Sequence, residues 1–139
     1  MMLSKLRPML VRHEGLKLKV YKCPAGRWTI GVGRNVEDLG LTRDEAMHLL
    51  DNDIRRVHAE VKRVFPWFPL LDEPRQLVLM NMAFNLGTDG LIKFTQMLEA
   101  IKRKDWTKAA EEMRDSKWAK QVGSRAIELS LIMKTGLIQ

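Results

Sequence analysis

Residues 14–33 read Glu14-Gly-Leu-Lys-Leu-Lys-Val-Tyr-Lys-Cys23-Pro-Ala-Gly-Arg-Trp-Thr29-Ile-Gly-Val-Gly33. Leu18 and Val20 alternate with Lys17, Lys19 and Tyr21, and Trp28, Ile30 and Val32 alternate with Arg27, Thr29 and Gly31. Between these runs Pro24-Ala25-Gly26 supplies turn chemistry, so the stretch predicts a β-hairpin. Gly31, Gly33 and Gly40 mark tight bends or close backbone approach around a small sheet. A third short strand is expected near Val36 to Leu39.

Upstream, Leu3, Leu6, Leu10 and Val11 keep helical spacing and Gly15 follows as a stop, which places Glu14 at the C-terminal end of a short helix. Downstream, Thr42-Arg43-Asp44-Glu45 is a capping box. Ala46, Leu49, Leu50, Ile54, Val57, Val61 and Val64 then carry the 3.6-residue period toward Pro66, predicting a helix of about 20 residues. Asp72 caps the next helix, with Pro74 tolerated in its first turn. That helix, Glu73 to Leu86, is apolar nearly all round and should form a core before Gly87 ends it. Thr88 or Asp89 caps a short turn, and short helices are expected at Phe94–Ile101, Asp105–Arg114 and Ser124–Lys134. The fold class is α+β and mostly helical: a small N-terminal lobe with an antiparallel sheet, a long connecting helix, and a helical C-terminal lobe.

The 139 residues are 45% apolar and 29% charged, which suits a globular domain and excludes a disordered, collagen-like or disulfide-scaffold chain. The lone cysteine, Cys23, has no intramolecular partner. A formal charge of +7 points to an anionic partner: nucleic acid, membrane headgroups or an acidic wall polymer. Residues 1–34 hold eight bases, Lys5, Arg7, Arg12, Lys17, Lys19, Lys22, Arg27 and Arg34, and a single acid, Glu14. No apolar run approaches the roughly 20 residues of a membrane span, and Lys5, Arg7 and Arg12 interrupt the start, so neither a signal peptide nor stable membrane insertion is expected. His13, His48 and His58 lack a ligand spacing, and no phosphate-binding glycine loop is present, so no metal or cofactor is expected.

Glu14, Cys23 and Thr29 are left as candidates for chemistry. A hairpin folds its second strand back past its first, so a glutamate at a helix end, a residue at the turn and a threonine on the returning strand can converge. Glycoside cleavage needs two such groups: an acid for the leaving oxygen, and a second group that activates water or stabilises the oxocarbenium-like transition state. The plain alternatives are an exposed ion pair of Glu14 with Arg12 or Lys17, and a Thr29 that is only a strand residue.

The residues also carry a resemblance. Glu14-Gly15-Leu16 to Tyr21, then Trp28 to Gly33, then Asn81-Met82-Ala83-Phe84-Asn85-Leu86-Gly87, and Trp118 with Arg125-Ala126 resemble the phage-type lysozymes, the endolysin family of the T-even phages, over nearly the whole chain. That family's pattern is glutamate, eight residues, aspartate or cysteine, five residues and threonine, which Glu14, Cys23 and Thr29 satisfy in both spacings. The resemblance implies a single lysozyme-like domain, with a β lobe at about 14–41, a connecting helix at about 42–64, and a helical lobe from 1–13 and 65–139.

The resemblance also implies hydrolysis of the β-1,4 bond between N-acetylmuramic acid and N-acetylglucosamine. In that reading Glu14 is the general acid, Cys23 holds the second catalytic position and Thr29 helps hold the attacking water. Phe84 and Asn85 then contact sugar, and Arg125 pairs with the catalytic glutamate without touching the substrate. No metal or cofactor is implied. The partner is peptidoglycan and no nucleic acid. The protein is expected to be a monomer made in the host cytoplasm, reaching the wall through a holin lesion.

Two positions depart from the family's usual residues. Arg34 stands where its best-known members have histidine, and Cys23 stands where aspartate is common. An ordinary thiol with a pKa of about 8.5 is only slightly ionised at neutral pH, so Lys22, Arg27 and Arg34 are expected to depress it. The same cations favour ionised Glu14, which burial must offset for an acid catalyst. A lytic transglycosylase is the nearest chemical alternative. A basic nucleic-acid-binding or membrane-active protein is the non-enzymatic one, although the bases cluster on the hairpin instead of a recognition helix.

Overall fold

Leu, Met and Arg in the first residues favour a helix, and α1 (Met2–Glu14) forms it, with Arg12 and His13 in the last turn where the helix dipole prefers positive charge. It stops at Gly15, whose φ of 80° only glycine adopts readily and whose N–H donates to the Val11 carbonyl at 2.9 Å. The computed structural model describes residues 1–138.

Strands β1 (Lys17–Lys22), β2 (Trp28–Gly31) and β3 (Arg34–Asn35) form one antiparallel sheet in that order. The β1–β2 register pairs Tyr21 with Thr29 and Lys22 with Trp28, with an irregularity between Lys17 and Tyr21. The strand expected near Val36 to Leu39 is instead the short helix α2 (Val36–Leu39), and the third strand lies just before it. Local capping explains the difference. Asn35 accepts from the Asp38 N–H at 3.1 Å, and Glu37 and Asp38 place negative charge in the first turn, so the polar residues outweigh the strand propensity of Val36.

Helix α3 (Arg43–Val64) starts at the expected box. The Thr42 hydroxyl accepts from the Glu45 N–H at 3.2 Å, while the Glu45 carboxylate accepts from the Thr42 N–H at 2.7 Å. The chain groups into two compact units that divide inside this helix, one of residues Met1–Leu49 and one from Leu50 onward.

In the second unit, a 3-10 turn (Phe68–Leu70) precedes α4 (Glu73–Ile92), which Asp72 caps. Gly87, at φ 75° and ψ 160°, breaks α4 where the sequence places a stop, and a further turn resumes after it. Helices α5 (Thr95–Lys102), α6 (Trp106–Arg114) and α8 (Ser124–Thr135) fall close to their expected spans. Helix α7 (Lys117–Val122), capped by Ser116, was not anticipated. The core gathers Phe68, Leu79, Met82, Leu91, Met97, Ile101, Met113 and Met133, all essentially inaccessible. The methionines fill it as flexible apolar side chains.

Among the described residues of this unit, one charged side chain, that of Arg75, is buried. Arg75 on α4 donates to the carbonyls of Met133 and Lys134 at 2.7 and 3.2 Å, which are last-turn acceptors of α8. Its guanidinium lies 3.9 Å from the centre of the Trp106 ring and pairs with Asp72.

Candidate active site

Glu14 is the last residue of α1, delivered where the helix ends on Gly15. Its carboxylate lies against the backbone of Gly33: a Cβ built there would sit 2.7 Å from Oε2. Gly33 has a φ of 66°, so glycine meets two needs at once, the positive φ and the absent side chain.

Cys23 opens the hairpin turn. The Gly26 N–H donates to the Cys23 carbonyl at 2.8 Å, with Pro24 and Ala25 at the centre of the turn and Gly26 at φ 80°. The Cys23 N–H donates to the Arg27 carbonyl at 3.0 Å. The same oxygen accepts from the Thr29 hydroxyl at 2.9 Å. Thr29 is buried on β2, whereas its neighbour Trp28 is exposed and carries the Lys22 ammonium 5.1 Å from its ring centre. Strand alternation thus sends Thr29 inward and Trp28 outward.

The Cys23 thiol is held below its ordinary range. The first cause is a hydrogen bond from the Arg27 backbone N–H, opposed by partial desolvation and aided by the Ala25 backbone and the Thr29 hydroxyl. Donors to the sulfur, more than cations, therefore do what Lys22, Arg27 and Arg34 were expected to do. The Arg27 guanidinium is taken up by Glu37 at 2.9 Å and Asp38 at 3.8 Å, and its pull on the thiol is weak. Arg34 binds the Glu45 carboxylate and the Gly40 carbonyl. Arg27 and Arg34 are thus engaged on carboxylates, and Lys22 lies over an aromatic face.

The structure brings Cys23 and Thr29 together on one carbonyl oxygen and seats Glu14 separately on Gly33. Among the described residues no hydrogen bond joins Glu14 to that pair. In the second unit, Phe84 and Arg125 line one groove of about 970 Å³, together with Leu50, Ile54, Leu77 and Asn81. Phe84 is exposed there, not a core residue. Arg125 donates from Nε to the Asn81 side chain at 2.8 Å and from Nη2 to the Asn81 carbonyl at 3.3 Å. Asn85 lies outside that lining, and its side-chain oxygen accepts from the buried Trp118 Nε1 at 2.8 Å. Sequence reasoning missed Glu37, whose only local signal is the capped acidic turn Asn35-Val36-Glu37-Asp38.

The sequence model described as phage lysozyme matches residues 11–133, a span that includes Glu14, Cys23 and Thr29. The chain is 33% identical to the pre-baseplate central spike protein Gp5 of Enterobacteria phage T4, over 94% of this chain but only 28% of that protein's length. It is 27% identical to a probable T4-type lysozyme 1 of Dictyostelium discoideum, covering 99% of this chain and 98% of the relative. An endolysin of Acyrthosiphon pisum secondary endosymbiont phage 1 is 32% identical over 81% of this chain and 75% of its own. With the family matched across most of its length, the chain belongs to the phage lysozyme family and is a lysozyme-type cell-wall lytic enzyme.

Proposed function

We propose that the protein is an N-acetylmuramidase that cleaves the β-1,4 bond between N-acetylmuramic acid and N-acetylglucosamine in peptidoglycan. One observation carries the reading: the only acid of the first 34 residues ends a helix against a glycine backbone, in the same unit where the Cys23 N–H and the buried Thr29 hydroxyl share one carbonyl and the Cys23 thiol is held below its ordinary range. Protonated Glu14 gives its proton to the glycosidic oxygen as the bond to the muramic acid anomeric carbon breaks. A water held near Thr29 adds its oxygen to that carbon and passes a proton to the Cys23 thiolate. The thiol then returns a proton, through solvent, to the Glu14 carboxylate.

Phe84 and Asn85 contact sugar in this reading, and Arg125, held on Asn81, is a supporting side chain. The net charge of +7 favours adhesion to an anionic wall and should weaken with salt. Among the described residues no helix is long and apolar enough to cross a membrane. The reading is completed by a monomer made in the host cytoplasm that reaches the wall through a holin lesion.

Mass spectrometry of digested wall tests the chemistry. Fragments ending in reducing muramic acid, absent after Glu14→Gln, support hydrolysis. Anhydro-muramic ends would replace it with transglycosylation, and undiminished cleavage by Glu14→Gln would overturn the role of the acid.

A further inference from the structure

The Arg27–Trp28 peptide unit is planar and trans, so its C=O and N–H point to opposite edges. On the carbonyl edge it receives the Cys23 N–H at 3.0 Å and the Thr29 hydroxyl at 2.9 Å. On the other edge, the Trp28 N–H donates to Glu37 Oε1 at 3.2 Å. The second oxygen of the same carboxylate, Oε2, accepts from Arg27 Nη1 at 2.9 Å. One carboxylate thus grips the plane at its amide and by the side chain of the residue that owns the carbonyl.

The grip is itself braced. Glu37 lies on α2, whose start is fixed by Asn35: its side-chain oxygen accepts from the Asp38 N–H at 3.1 Å and its amide donates to the Asp38 carboxylate at 2.8 Å. Asp38 adds a longer contact to Arg27 Nε at 3.8 Å. A peptide whose N–H binds an anion is polarised and becomes a better acceptor at its oxygen. Charge-assisted bonds are also the stronger ones, so Glu37 resists rotation of the plane more than a neutral partner would.

We propose that Glu37 is a positioning residue for the Cys23–Thr29 pair, acting through the Arg27–Trp28 peptide that holds both. It touches neither substrate nor reacting atoms. Its catalytic consequence rests on the wall-hydrolase reading, whereas its structural consequence does not. Losing the carboxylate frees the plane to rotate, and the thiol and hydroxyl drift from the geometry in which water is held.

The test compares Glu37→Ala, Glu37→Gln and Glu37→Asp with the unmodified protein, and uses Glu99→Gln, which removes an exposed pair with Lys102, as a surface control. Amide exchange is followed by NMR at Cys23, whose N–H is bound to the Arg27 carbonyl, and at Val61 in the core. Exchange at Cys23 should quicken about tenfold in Glu37→Ala with Val61 unchanged, because only a local opening is eased. On wall substrate kcat should fall about tenfold with KM kept within about twofold, the signature of displaced reacting groups. Glu37→Asp should restore part of both, and Glu99→Gln should change neither.

Unaltered Cys23 exchange in Glu37→Ala would overturn the proposal, as would a rise in KM alone. Should Glu37→Ala fail to fold, Glu37→Gln decides on the same two readouts. If the unmodified protein leaves peptidoglycan intact while Cys23 exchange still quickens, the clamp stands and the wall-hydrolase reading falls.

Discussion

The Glu14 carboxylate occupies the space that a side chain on Gly33 would need, with Oε2 at 2.7 Å and Cδ at 3.0 Å from the position of such a Cβ. A backbone seat of this kind fixes an acid without a hydrogen-bond partner that would itself be lost by mutation. It also makes Gly33 separable by experiment from Gly31, the last residue of β2.

Gly33→Ala should push the carboxylate aside and strain a backbone at φ 66°. The strain should lower stability by about 1 kcal/mol. The displacement should lower kcat by about tenfold to a hundredfold, because small misplacements of a reacting group are costly. Gly31→Ala has a similar φ of 71° and nothing within 4 Å of its Cβ, so it should lose comparable stability with wall clearing largely kept. Thermal melts and turbidity assays separate the two. Equal activity loss in both variants would show that strain, and not the seat, matters.

Cys23 should react with iodoacetamide with a midpoint below that of an unstructured thiol, near pH 8.5. Thr29→Val removes the hydroxyl beside the thiol and should move the midpoint upward. With the thiolate as base, activity rises with pH through that midpoint. Cys23→Asp, ionised from about pH 4, should abolish this rising limb near neutrality. Superimposable pH–rate curves for Cys23→Asp and the unmodified protein would refute the thiolate's role.

Acid should loosen the first unit through Glu45. Its carboxyl is held below the usual range, first by the Thr42 backbone N–H and then by the Thr42 hydroxyl and Arg34, against partial desolvation. A folded pKa below the unfolded one gives stability that is present above the ordinary glutamate range and lost as pH falls through the folded value. Glu45→Gln removes this titration. The fall in Tm between pH 6 and pH 3 should therefore be smaller in Glu45→Gln than in the unmodified protein, and an identical fall would contradict the assignment.

Arg75→Met should destabilise the second unit by about 2–4 kcal/mol, because the Met133 and Lys134 carbonyls lose their donors and Trp106 loses its cation. Arg75→Lys should recover only part of this, since one ammonium does not reproduce the planar fork. Urea unfolding of the three proteins measures the series. Equal midpoints for all three would mean that the arginine adds no net stability.

The sequence made legible whatever is decided within a few residues. Thr42 and Glu45 announce a helix start because each satisfies the other's backbone, and Pro24-Ala25-Gly26 announces a turn because its dihedral needs are local. Val36 misled because β-branching favours a strand, while the Asn35 cap that wins is a side-chain bond to Asp38. Helix α7 was missed because six residues carry too little period to register. Arg75 was illegible for another reason: its acceptors lie 58 and 59 residues away, so packing creates the interaction. At the candidate site, Glu14, Cys23 and Thr29 were proposed from a spacing that resembles the family's pattern. Glu37 was not, since its partners depend on the turn of one peptide plane.

That plane has a bearing on how the protein can change over generations. The oxygen on which the Cys23 N–H and the Thr29 hydroxyl converge belongs to the main chain, so every amino acid at position 27 supplies it, proline included. Inheritance can rewrite the lock around the oxygen, at 27 and 37 together, but no single codon can delete the oxygen itself.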